Sequence, residues 1–239
     1  MSTIFVNLQA VNQRIAAAAQ AAARPVSAVT LIAVSKTFPA AAVLEAVAAG
    51  QQVFGENYLQ EALDKQLAVN ARLGSAGAAA LSWHFIGPIQ SNKTRAIAEH
   101  FDWVHSVDRL KIAERLAQQR PAARGPLNVL IQVNISGEAS KSGVAPGETL
   151  ALALAISALP GLRLRGLMAV PEPSDDPAGQ ARPLAALRQL AESLRAKGLP
   201  CEHLSMGMSA DLEVAVAEGA TMVRIGSAIF GARHDAMAP

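Results

Sequence analysis

"VTLIAVSKTFPAAAVLEAVAAGQQVFGEN", residues 29–57, holds an apolar run, a short turn with a proline, an Ala- and Leu-rich helical run and a second apolar run. The first run (29–35) is apolar almost throughout rather than alternating, which suits a strand covered on both faces. A strand followed by a helix and another strand implies parallel pairing through a crossover. Within this unit Lys36 sits at the inner end of an apparently buried strand. An ammonium there must be solvated, paired or covalently occupied.

The unit repeats. Further strand candidates are QVFGEN (52–57), SWHFIG (82–87), WVHSVD (103–108), NVLIQVN (128–134), LRGLMAV (164–170), CEHLSMG (201–207) and TMVRIGS (221–227), eight runs in all. Helical patterns separate them, among them LQEALDKQLAVNARLG, DRLKIAERLAQQR, GETLALALAIS and ARPLAALRQLAESLRAKG. In the last of these Leu184, Leu187 and Leu194 share a face and Gly198 supplies the stop. An opening helix spaces Ile4, Leu8, Val11 and Ile15 at helical intervals, with Ser2 as N-cap and Pro25 at its end. PEPSDDP (171–177) reads as a loop. Eight strand–helix units in 239 residues predict a single (β/α)8 TIM barrel, one domain over 1–239. The competitor is a doubly wound open sheet, but no G-x-G-x-x-G follows the first strand and no phosphate loop of the G-x-x-x-x-G-K-[ST] type occurs.

Composition narrows the function. Hydrophobic residues at 51% and charged residues at 17% describe a folded chain with room for a core. The net charge of +2 gives no reason for a nucleic-acid or membrane-surface partner. One cysteine, Cys201, forbids an intrachain disulfide, points to a reducing compartment, and reads as a small buried residue. No basic segment leading into an apolar core opens the chain and no run is long enough to span a bilayer, so a cytoplasmic protein is expected. The five histidines (His84, His100, His105, His203, His234) lack metal-ligand spacing, and structural roles are expected.

A barrel carries its site at the C-terminal ends of its strands. Lys36, Glu56-Asn57, His84, His105 with Asp108, Asn134 and Met168 fall at or near those ends. SMGMS (205–209) follows the seventh strand and RIGS (224–227) closes the eighth. Each loop alone reads as an ordinary tight turn, with Ser209 as an N-cap. Two such loops at adjacent strands supply hydroxyls and backbone amides suited to phosphate. In a closed barrel the first strand neighbours the eighth, so Lys36 is within reach of a ligand held there. A desolvated lysine is a nucleophile toward carbonyls, and a phosphorylated aldehyde satisfies both groups. Pyridoxal 5′-phosphate (PLP) is one such molecule, and a sugar phosphate bound by a Schiff-base aldolase is another. Arg224 adds a second cation in an apolar strand.

IAVSKT, FGENYLQE, WHFIGPIQSNK, HSVD, VNISGEASKSG, GLMAV and SMGMSADLEVAVAEGATMVRIGSAIFG resemble, nearly end to end, the YggS/PROSC family of PLP homeostasis proteins. That family is similar to the N-terminal barrel of bacterial alanine racemase, fold-type III. The resemblance implies that Lys36 forms the Schiff base, that Ser209, Gly226 and Ser227 bind the phosphate, and that Arg224 faces the pyridine nitrogen. It puts Asn57 and Met168 at the ring, with Ser205 and Met206 nearby. Related racemases recruit a tyrosine from a second domain. This chain's one tyrosine, Tyr58, reads as helix packing. A monomeric PLP carrier serving PLP-dependent apo-enzymes is therefore expected, with a weak racemase as the alternative. Lys141, in the small-residue loop 136–143, is a candidate second contact for PLP or part of a lid.

Overall fold

All eight apolar runs form strands: β1 (Thr30–Val34), β2 (Val53–Glu56), β3 (Ser82–Phe85), β4 (Trp103–Val107), β5 (Leu127–Gln132), β6 (Leu162–Met168), β7 (His203–Ser205) and β8 (Met222–Ile225). The computed structural model describes residues 2–137 and 142–232. The strands pair in parallel, each with its sequence neighbour, and β8 closes on β1 through Ile32↔Arg224 and Ala33↔Ile225. The (β/α)8 barrel is the observed architecture, and the open sheet is excluded. Most strands leave the ladder one or two residues before the apolar run ends. The freed residues, Ser35 and Asn57 among them, build the loops at the barrel mouth.

Among the described residues eight α-helices follow the strands: α2 (Ala40–Ala48), α3 (Leu59–Ala79), α4 (Thr94–His100), α5 (Leu110–Gln119), α6 (Thr149–Ser157), α7 (Pro177–Ala196), α8 (Leu212–Ala217) and α9 (Ser227–Phe230). The opening helix α1 (Thr3–Ala21) packs on α8 and α9 and buries Leu8, Val11 and Ile15. Each of those side chains stabilises the contact by about 1.5–3 kcal/mol. Ser2 caps α1 as expected, accepting from the Phe5 N–H at 3.3 Å. The loop 171–177 gives way to α7 at Pro177, in the first helical position where a missing N–H is harmless. Asp176 caps that helix, accepting from the Ala178 and Gly179 N–H groups.

Side chains alternate across the strands. One set fills the barrel interior, where Ile32, Leu130, Met168 and Met222 pack together against Val53 and Trp103. The other set faces the helices, where Leu31, Ala33, Phe54, Val223 and Ile225 join the larger core. No helix among the described residues is long and apolar enough to cross a membrane.

Candidate functional site

Strand alternation decides which groups reach the barrel mouth. On β1 the inward series is Ile32 and Val34, with Lys36 in the turn just beyond; on β8 it is Met222 and Arg224, with Gly226 just past the strand. These series meet at a cavity of about 350 Å³ lined by Val34, Lys36, Asn57, Ile86, Val170, Met208, Ser209, Ala210, Arg224, Gly226 and Ser227. Six of the expected site residues thus lie together: Lys36, Asn57, Ser209, Arg224, Gly226 and Ser227. The apolar walls from Val34, Ile86, Val170 and Met208 carry no sequence signal, because apolar residues at strand ends look like core.

Two turns form one side. Gly207 takes φ +93°, and a Cβ there would lie 2.5 Å from the Ala215 Cβ, so glycine alone fits the turn against α8. Ser209 does not cap α8; Asp211 is the cap residue, and its carboxylate instead accepts from the Met208 N–H at 2.6 Å. This frees the Ser209 hydroxyl from helix capping. The Ser209 carbonyl is tied to α1 by Arg14 at 3.0 Å, and Arg14 also forks onto Glu213 of α8. On the second turn Gly226 precedes α9. The first N–H groups of any helix have no acceptor within it, and Gly226 and Ser227 at this helix start both line the cavity. On the far side Gly87 admits the β2 loop: a Cβ there would lie 2.2 Å from the Asn57 carbonyl oxygen.

Beneath the cavity Arg224 is 6% exposed. It donates to Ser205 Oγ at 2.7 Å and to the Ala169 carbonyl at 2.9 Å. Burial lowers its pKa to about 10. Ser205 Oγ is 2.8 Å from His105 Nδ1, His105 Nε2 is 2.9 Å from His84 Nδ1, and His84 Nε2 is 3.1 Å from Ser82 Oγ. An arginine only donates. So the Ser205 hydroxyl proton goes to His105, and both imidazoles, neutral and protonated on Nε2, pass the polarity down the barrel axis. Burial, above all, lowers His84 to about 3 and His105 well below its ordinary value. Both histidines have the structural role expected of them.

Two residues expected at or near the ring do not line the cavity. Met168 is 1% exposed and packs in the interior layer with Ile32, Leu130 and Met222, one layer below the mouth. Met206 follows the inward Ser205, so alternation turns it outward into the sheet–helix core. Ser205 touches the site through Arg224 rather than lining it. Tyr58 is 55% exposed, immediately before α3 and next to Asn57, and is not among the residues that line the Lys36 cavity. Cys201 is buried, and burial raises its thiol to about 11, so it is unreactive. Lys141 and His234 lie outside the described residues.

One feature escaped sequence reading. Ser35 and Glu56, the outward neighbours of Lys36 and Asn57, meet in the sheet–helix layer with Lys65 of α3. Lys65 Nζ donates to Glu56 Oε1 (2.6 Å), to the Ser35 carbonyl (2.7 Å) and to Glu61 Oε1 (2.9 Å). Ser35 Oγ donates to the same Glu56 oxygen at 2.6 Å. Burial pushes the Glu56 carboxyl up, against the pull of Lys65. Thr37, the residue after Lys36, has φ +67°. For a β-branched residue that conformation costs about 1–2 kcal/mol.

The donor set fits a phosphorylated aldehyde. Among the described residues the cavity lining includes no carboxylate, two cationic side chains, two hydroxyls and a helix start. The family model of the alanine racemase N-terminal domain matches residues 6–234, so the barrel is of that class. Alanine racemase from Corynebacterium glutamicum shares the fold, with a TM-score of 0.71 at 19% identity over 96% of this chain and 61% of that one. The pyridoxal phosphate homeostasis protein of Pseudomonas aeruginosa is 63% identical over 233 residues, 98% of this chain and 97% of its own. PipY of Synechococcus elongatus, solved with PLP bound, is 38% identical with a TM-score of 0.81, over 95% of this chain and 100% of that one. The chain belongs to the family of pyridoxal phosphate homeostasis proteins.

Proposed function

We propose that this chain binds PLP covalently through the Lys36 amine and serves PLP homeostasis by storing, delivering and protecting the reactive aldehyde. The observation that carries the reading is the convergence of Lys36, Arg224 and two anion-suited turns on one cavity. When bound, PLP supplies an electrophilic aldehyde and an electron-withdrawing ring. The Ser209 and Ser227 hydroxyls and the amides at Gly226 and Ser227 hold the phosphate. Arg224, fixed by Ser205 and Ala169, presents its remaining N–H groups to the ring nitrogen and cannot accept a proton from it. Asn57, Ile86 and Met208 flank the ring.

A carrier role is supported by what surrounds the amine. A racemase needs a second base across from its lysine. Among the described lining residues no tyrosine, histidine, cysteine or carboxylate accompanies Lys36. In this reading residues 1–239 act as one domain, as a monomer in the cytoplasm, and PLP-dependent apo-enzymes receive the cofactor. The test is to mix the PLP-loaded protein with an apo-enzyme, and separately with amino acids in deuterated water. Reactivation of the apo-enzyme without Lys36-dependent exchange of the α-proton is expected. Exchange that Lys36→Ala abolishes establishes the racemase reading instead.

A further inference from the structure

Lys65 and Glu56 form an ion pair with 3% and 0% of their side chains exposed. Removing both charges from water is expensive, and such pairs are weak evidence for stability. Here the geometry is also incomplete, because Glu56 Oε2 is buried with no hydrogen-bond partner among the described residues. The position of the pair gives it another use. Lys65 Nζ has three N–H groups, and they go to the Ser35 carbonyl, Glu56 and Glu61. Glu61, four residues before Lys65 on α3, accepts the Thr37 N–H at 2.6 Å through the same oxygen that meets Lys65. The backbone groups immediately before and after Lys36 are therefore both tied to one ammonium and its carboxylates. The second tie falls on the residue with the strained φ. Strain of this kind persists only where the surroundings over-determine it.

We propose that Glu56, Lys65 and Glu61 are positioning residues: they hold Thr37 at positive φ and so aim the Lys36 amine into the cavity. This rests on Lys36 being the residue that captures PLP. The cluster touches neither the phosphate turns nor Arg224, so it governs capture of the aldehyde and not recognition of the rest of the cofactor. Glu61 and Lys65 lie on a helix behind the sheet and line no part of the cavity.

The experiment compares two ligands by equilibrium titration of the full chain. One is PLP; the other is 4′-deoxypyridoxine phosphate, which has the ring and phosphate but no aldehyde. Glu61→Ala removes the acceptor of the Thr37 N–H. It should weaken PLP about tenfold, the factor that corresponds to losing about 1.4 kcal/mol. The aldehyde-free analogue should stay within about twofold. Glu61→Gln keeps an acceptor oxygen and should stay within about threefold of the parent for PLP. Thr37→Gly adopts positive φ at no steric cost, so in the Glu61→Ala background it should restore most of the lost PLP affinity. Thr37→Pro changes an exposed turn residue and leaves the buried pair intact, yet it fixes φ near −65° and removes the N–H. It should reproduce the PLP-selective loss even if Glu61→Ala fails to fold. Equal weakening of both ligands in Glu61→Ala or Thr37→Pro, no weakening in either, or no rescue by Thr37→Gly overturns the proposal. Lys36→Ala separates the two layers of the argument. If it binds PLP as tightly as the parent, the Lys36 assignment has failed rather than the positioning of Lys36.

Discussion

Acidification should unfold this barrel through two histidines. His84 and His105 are 2% and 0% exposed and are held neutral by burial in the chain from Arg224 to Ser82. Their native pKa values are depressed, so below about pH 6.5 the unfolded chain binds protons that the native chain does not. Stability therefore falls as pH falls, from about pH 6.5 down to the native value of about 3 for His84. An unfolded imidazole with a pKa near 6.5 is stabilised by about 2 kcal/mol through protonation at about pH 5. Two that stay neutral in the native state therefore remove about 4 kcal/mol between about pH 7 and about pH 5. Glu56, raised by burial, works in the opposite direction, and half-buried His203, lowered by burial, adds a smaller contribution of the same sign. His84→Gln isolates the term, since an amide can bridge His105 and Ser82 without titrating. Urea unfolding at a series of pH values gives the proton uptake. Wild type should exceed the variant by about 0.9 of a proton near pH 5.5, a slope difference of about 1.2 kcal/mol per pH unit. Equal slopes would refute the claim that His84 is neutral and buried.

Two further outcomes follow from the turns and from the Arg224 support. Gly207→Ala must adopt φ +93° and push its Cβ against Ala215. It should lose about 2–5 kcal/mol in urea unfolding and weaken PLP binding as the Ser209 turn shifts. Ser205→Ala deprives Arg224 Nη1 of its acceptor and His105 of its donor. It should cost about 1–3 kcal/mol in thermal or urea unfolding and lower PLP affinity, whereas Ser205→Thr, which keeps the hydroxyl, should recover part of both.

How far the sequence could be read depended on the range of the interaction involved. The barrel was legible because each strand and helix is a local pattern, and eight repeats of it leave few ways to close. The turns at Gly207 and Gly226 were legible because each is set by contiguous residues. The layers that Met168 and Met206 occupy were illegible for a different reason. Near a strand end, one residue decides between the interior layer, the mouth and the helix side, and the point where the strand leaves the ladder sets which. The partnership of Lys65 with Glu56 was illegible. LQEALDKQLAVNARLG shows a helical pattern and no partner for its lysine, which meets Glu56 only because that residue turns outward at the end of β2. His84 and His105 are 21 residues apart and meet only because β3 and β4 are neighbours with both rings turned inward.

The central claim is that Lys36 holds the cofactor. Borohydride reduction of the PLP-treated protein, followed by peptide mass mapping, tests it directly. The account predicts a pyridoxyl adduct on the peptide carrying Lys36, and none at that position in Lys36→Ala. An adduct confined to another residue, or no adduct at all, would contradict it.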